Sequence, residues 1–149
     1  MKICTIVGTR PQFIKSVLVS RELKARGIEE VLIHTGQHHD HEMSQIFFDE
    51  FKLDPPKWQY EDNLDTPLTH ISRILGWLEK VLGTEKPDKI LVYGDCNSTL
   101  SGVLAGRKLN IPVAHVEAGP RQHDMAIPEE QNRFIADHLA TWRFCPTKR

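Results

Sequence analysis

Apolar residues along this chain recur with two different periods. Short apolar or β-branched runs occur at KICTIV (2–7), VLIHT (31–35), KILVY (89–93), IPVAHV (111–116) and TWRFC (141–145). Runs of this length, bounded by turn residues, predict strands, the first four of them buried and TWRFC a last apolar one. A weaker strand is predicted near Trp58–Tyr60. Between the runs the spacing changes to three and four residues. Ile14, Val17, Leu18, Arg21 and Leu23 predict a helix, with Pro11 in its first turn and Gly27 as its stop. Met43, Ile46, Phe47 and Phe51 predict a second helix over 40–52, with Phe47, Phe48 and Phe51 in the core, broken by Asp54-Pro55-Pro56. Thr66 caps a third, with Pro67 in its first turn and Leu68, Ile71, Leu75, Leu78 and Leu82 as its core stripe. GDCNSTLSGVLAGRKLN (94–110) opens a fourth helix, and a fifth covers 128–140, starting at Pro128.

Strands that alternate with helices and look buried on both faces imply a parallel sheet covered on both sides. The expected fold is therefore α/β: a doubly wound, mostly parallel, Rossmann-like sheet forming one domain over 1–149. Composition only narrows this. The 149 residues are 40% hydrophobic and 26% charged, with a formal net charge of -1, so no nucleic-acid or acidic-membrane partner is expected. No apolar run approaches the roughly 18 residues of a membrane span, and ICTIVG after Met1-Lys2 is too short for a secretory signal core. Cys4, Cys96 and Cys145 lie far apart with no CxxC pair, which reads as reduced thiols in a cytoplasmic protein.

In a sheet of this kind ligands bind beyond the carboxyl ends of the strands. The segments expected there are Gly8-Thr9-Arg10-Pro11 with Gln12 and Lys15, then Gly36-Gln37-His38-His39, then Gly94-Asp95-Cys96-Asn97-Ser98-Thr99, and lastly Glu117-Ala118-Gly119-Pro120-Arg121 running on to Glu129. GTRP matches neither a dinucleotide fingerprint nor a P-loop. It does combine a glycine, a helix N-terminus, Arg10 and Lys15, which suits a phosphate or carboxylate as well as a simple turn. Asp95 suits a helix N-cap as well as a working acid. Glu117 directly follows an apolar strand, and Glu129 and Glu130 sit at a helix start, which favours acids. Clustered carboxylates beside cations are what proton transfer on a nucleotide-bearing substrate requires. His38, His39, Asp40 and His41 match no zinc-ligand spacing, so no metal is expected. His138 is expected to be structural or on the surface.

GTRPQFIK (8–15), TGQH (35–38), YGD (93–95), HVEAG (115–119) and PEEQNR (128–133) followed by Asp137-His138 resemble, in order and spacing, the non-hydrolysing UDP-N-acetylglucosamine 2-epimerase family. The resemblance covers the whole chain. It implies one half of a GT-B-type fold of two Rossmann-like domains, here the N-terminal domain (1–149), with the C-terminal nucleotide-binding domain absent. Family enzymes invert C2 of a UDP-sugar by eliminating UDP to a 2-acetamidoglucal and adding it back after protonation of the other face, with no nicotinamide or metal cofactor. The resemblance assigns Asp95, Glu117 and Glu129 to proton transfer and to assisting elimination. It places Arg10, Gln12, Lys15, Gln37, His38 and Arg133 at the substrate. A family histidine and most nucleotide contacts belong to the second domain, so this chain alone is expected to turn over little or no UDP-sugar.

Three departures stand out. Gln12 replaces the commoner Glu, and with TGQH it looks more like members acting on UDP-2,3-diacetamido sugar acids. The QHREM segment tied to allosteric UDP-GlcNAc binding is lacking. Pro120 stands where Leu is usual, and Phe134, Trp142 and Arg143 are bulkier or less polar than expected. A second reading follows: a scaffold whose Pro120, His123, Met125, Phe134 and Trp142 form a surface for another protein, either a second copy in a homodimer or an engineered protein partner. If Phe134 and Trp142 are buried in the monomer, that surface has no basis.

Overall fold

The computed structural model describes residues 1–36, 54–61 and 66–147. Its elements, in order, are β1 (Lys2–Val7), α1 (Arg10–Ala25), β2 (Glu29–His34), β3 (Trp58–Gln59), α2 (Pro67–Glu85), β4 (Lys89–Tyr93), α3 (Asn97–Lys108), β5 (Val113–Val116), α4 (Pro128–Leu139) and β6 (Trp142–Phe144). The helix expected over 40–52, the His38–His41 cluster, and Gln37 and His38 lie outside the described residues. Among the described residues no helix is long and apolar enough to cross a membrane.

The strands form one sheet in the order β3-β2-β1-β4-β5-β6, and every pairing is parallel. The chain winds outward from β1 in one direction and from β4 in the other, so the order reverses between these two central strands. At such a reversal the connections leave the two strands toward opposite faces, and the crevice between them is where ligands bind in sheets of this kind.

Alternation along the strands sorts the core into two layers. Cys4, Ile6, Val31, Ile33, Ile90, Val92 and Val113 pack against α2, α3 and α4 through Ile74, Leu78, Leu82, Val103 and Ala136. Ile3, Val7, Leu91, Tyr93 and Ala114 face the other way and meet Phe13 of α1, with Val19 and Leu23 at its margin. Each buried leucine or isoleucine contributes about 1.5–3 kcal/mol. The three cysteines are free, and burial pushes the Cys4 thiol up to about 12.

The helix starts follow from local chemistry. Thr66 precedes α2 in extended backbone, its hydroxyl accepts from Thr69 N, and Pro67 sits where no intrahelical N–H is needed. Gly27 follows α1 at φ +66°, a conformation glycine adopts without strain.

The buried faces of α1 and α2 differ from the expected stripes. On α1 the inward residues are Gln12, Phe13, Ser16 and Val17, while Ile14 and Leu18 are 46% and 73% exposed. On α2 they are Ile74, Leu78, Val81, Leu82 and Glu85, with Leu68 exposed. Both helices are rotated toward polar groups that bond to other elements, which hydrophobic spacing does not register. β6 is an edge strand. It pairs with β5 alone at the sheet edge, and its residues are exposed.

Glu85 shows why α2 is turned this way. Its buried carboxylate meets Lys57 Nζ at 2.7 Å and Lys2 Nζ at 3.3 Å, and it accepts from Trp58 Nε1 at 2.6 Å. These ties join α2 to β1 and β3 at the amino edge of the sheet. Lys57, then Trp58, then Lys2 hold the carboxyl down at about 2, below its ordinary 4.5. Its stabilisation is complete above about pH 4.5 and is lost as pH falls toward 2. Water reaches Lys57 and screens the pair, so Glu85→Gln is expected to remove about 2 kcal/mol at neutral pH. The difference should shrink as pH falls between 4.5 and about 2. Urea unfolding of both proteins at pH 7 and pH 3 checks this, and an equal gap at both values sinks it.

Candidate active site

The crevice is built from glycines and short turns. Gly8 ends β1, and a Cβ there would overlap Ser98 Oγ and Thr35 Oγ1, which bond each other at 2.5 Å. Three turns therefore meet with no side chain at Gly8. Gly94 leaves β4 at φ +64°. Glu117 leaves β5 at φ +69°, a left-handed conformation a non-glycine residue adopts only at a cost of about 1–3 kcal/mol. Backbone bonds from Glu117 N and Ala118 N to Phe144 O hold it there.

Two ion pairs line the opening. Lys15 Nζ contacts Glu117 Oε2, joining α1 to the β5 end. Arg133 of α4 contacts Asp95 Oδ2, joining α4 to the β4 end. Asn132 Nδ2 reinforces the second by donating to Asp95 O and Asn97 Oδ1. Arg133 is buried, and its Nε has no partner among the described residues. Asp95 is not the N-cap of α3. That position falls to Cys96, and the Asp95 side chain turns to Arg133 instead.

Gln12, expected at the substrate, is only 4% exposed and turned inward. Its Oε1 accepts from Gly8 N at 2.7 Å and Thr9 N at 3.2 Å. Its Nε2 donates to Tyr93 O at 2.5 Å and lies 2.8 Å from Cys96 Sγ and 3.1 Å from Thr99 Oγ1. Arg10 is exposed at the first residue of α1, and Glu129 is exposed at the second residue of α4. No described contact brings Glu129 to either ion pair. Its neighbour Glu130 is buried and accepts from Gln122 N, so it serves the loop rather than the crevice.

His115 and Asp137 form a connection that local sequence reading missed. His115 is fully buried; Nδ1 meets Asp137 Oδ1 at 2.8 Å and Nε2 meets Gly94 O at 2.6 Å. Asp137 Oδ2 accepts from Gly119 N at 3.0 Å and pairs with Arg121 at 2.6 Å. One carboxylate thus ties α4 to β5 and to both sides of Pro120, and through His115 to the β4 end. The proline does not carry the loop away: Gly119 takes φ +95°, and Arg121 folds back onto Asp137. Both residues belong to quoted motifs, HVEAG and the Asp137-His138 pair, but they lie 22 positions apart. Only the sheet shows that they touch.

Phe134 and Trp142 are 42% and 41% exposed, as the partner-surface reading requires. Phe134 packs on His138, a surface residue, and Lys89 Nζ sits 4.6 Å from the centre of the Trp142 ring. Pro120 is exposed as well.

Similar proteins place this geometry in a family. The family model described as UDP-N-acetylglucosamine 2-epimerase matches residues 21–149. A UDP-N-acetylglucosamine 2-epimerase homolog of Methanococcus maripaludis is 51% identical over 99% of this chain and 41% of its own length. The UDP-2,3-diacetamido-2,3-dideoxy-D-glucuronate 2-epimerase of Pseudomonas aeruginosa is 46% identical over 99% and 42%. Methanocaldococcus jannaschii UDP-GlcNAc 2-epimerase, solved in complex with UDP-GlcNAc and UDP, superposes with a TM-score of 0.94 at 44% identity, covering 99% of this chain and 41% of that one. The chain therefore spans about two fifths of the length of these relatives and belongs to the UDP-N-acetylglucosamine 2-epimerase family.

Proposed function

We propose that these residues form one wall of a UDP-HexNAc 2-epimerase site. In the reaction a carboxylate takes the C2 proton while the C1–O bond to UDP breaks, leaving a C1=C2 double bond. A proton then returns to the opposite face of C2 and UDP re-adds at C1. Among the described residues, Asp95 and Glu117 are acids at this edge with cations beside them, and Lys15 and Arg133 balance charge as UDP departs. Glu129 stands with them by motif.

One observation carries this reading: Glu117 is held in a left-handed conformation against Lys15. A partly exposed ion pair of this kind contributes about 0–1 kcal/mol, less than the strain it accompanies. Stability does not explain the placement, whereas chemistry at a strand end does. One wall cannot preorganise both sides of a sugar nucleotide, so the chain alone is expected to give little or no turnover.

The test is a fusion in which residues 1–149 replace the matching segment of the M. jannaschii enzyme, given UDP-GlcNAc in D2O. The expected result is the C2 epimer with deuterium at C2. A folded fusion that binds UDP yet exchanges nothing at C2 overturns the proposal.

A further inference from the structure

We propose that Gln12 is a positioning residue. Its uncharged amide locks the β1–α1 turn to the β4–α3 turn, and so sets the distance between the Lys15–Glu117 and Asp95–Arg133 pairs independently of pH. The lock uses an amide's asymmetry. One end only accepts, and it faces two backbone N–H groups, those of Gly8 and Thr9. The other end only donates, and it faces Tyr93 O, which only accepts. Tyr93 O also receives Thr99 Oγ1 at 2.5 Å, so α3 is drawn into the same knot. Lys15 stands one turn along α1 from Gln12, and Asp95 stands two residues beyond Tyr93. A shift of either turn therefore moves one ion pair against the other.

A carboxylate fits this place only when protonated. The ionised side chain of Gln12→Glu would satisfy Gly8 and Thr9 but press its second oxygen on Tyr93 O. The groups facing it are those two N–H groups, Tyr93 O, Cys96 Sγ and Thr99 Oγ1, with the charged Arg10 in the same first turn of α1. The two N–H groups and the start of α1 favour the ionised acid, but burial and the press of its second oxygen on Tyr93 O outweigh them, so its folded pKa would rise above the unfolded value. Stability of the variant is then full in acid and lost as pH rises. Its unfolding constant should grow about tenfold for each pH unit between the unfolded and folded values.

The inference takes its meaning from the proposed role of the ion pairs, but its test needs no substrate. Backbone amide NMR of the wild-type chain and of Gln12→Glu is followed from pH 5 upward. In the variant the signals of Gly8, Thr9, Lys15 and Asp95 should share one added titration step and coincide with wild type below it. Gln12→Met should shift the same signals at every pH, without a step. No added step, or a step confined to Gly8 and Thr9 while Lys15 and Asp95 stay still, overturns the proposal. If Gln12→Glu unfolds at neutral pH, its urea midpoint against pH decides: a midpoint that does not fall with rising pH refutes the lock.

Discussion

Glu117→Gln in the fusion enzyme is expected to slow C2 exchange by about 10²–10⁴-fold, the range that a positioned general acid or base supplies. Glutamine keeps the size and reach of the side chain. The lost Lys15 contact is a partly exposed one worth about 0–1 kcal/mol, so the fold should survive. The left-handed backbone is held by Phe144 O rather than by the carboxylate, so the strand end should keep its shape. The loss should therefore fall on kcat, with KM little changed, because the group acts on the proton and not on the nucleotide. Steady-state rates and melting curves measured together check this. Unchanged kcat in a stable variant would remove Glu117 from the chemistry and leave Asp95 as the crevice carboxylate to test.

Asp137→Ala should do most damage to the fold itself. It strips partners at once from His115, Gly119 N and Arg121, and the ring it abandons is fully buried. Removing one side of a buried pair costs about 3–5 kcal/mol, which for a chain of this size lowers the unfolding midpoint by about 10 °C. Asp137→Asn keeps the shape and one acceptor, so its loss should be smaller and centred on Arg121. Circular dichroism melts of both variants decide it. An alanine variant that melts with wild type would mean that the network follows from the fold rather than holding it.

Much of the site was legible in the chain because strand ends are. Once KICTIV, KILVY and IPVAHV are placed as parallel strands, Gly8, Gly94 and Glu117 must emerge on one edge, and Lys15 and Asp95 come with them; Arg133 was placed by the resemblance alone. The rest was illegible for different reasons. Gln12 looked like a ligand group because the resemblance places it at the substrate; its direction is set by Tyr93 O, on the neighbouring strand but 81 residues away. Asp95 looked like a cap because aspartate often is one; Arg133, on another helix, competed for it and won. Ile14 and Leu18 looked like core because they keep helical spacing with Val17. The helix is rotated by the docking of Gln12 and Phe13, and spacing cannot tell which of two neighbouring faces turns inward.

The order of elements, the parallel sheet and the collection of polar segments at one edge follow from the sequence alone, whereas the reversal between β1 and β4 was decided by the tertiary structure. Each of the first three rests on periodicity or turn chemistry within a few residues, or on the handedness that links a strand to the next. Which polar groups face one another was decided only by the tertiary structure. His115 with Asp137, Arg133 with Asp95 and Gln12 with Tyr93 are partnerships between distant segments. A hydrogen bond or ion pair depends on a few tenths of an ångström between elements, and that distance is set when the layers pack.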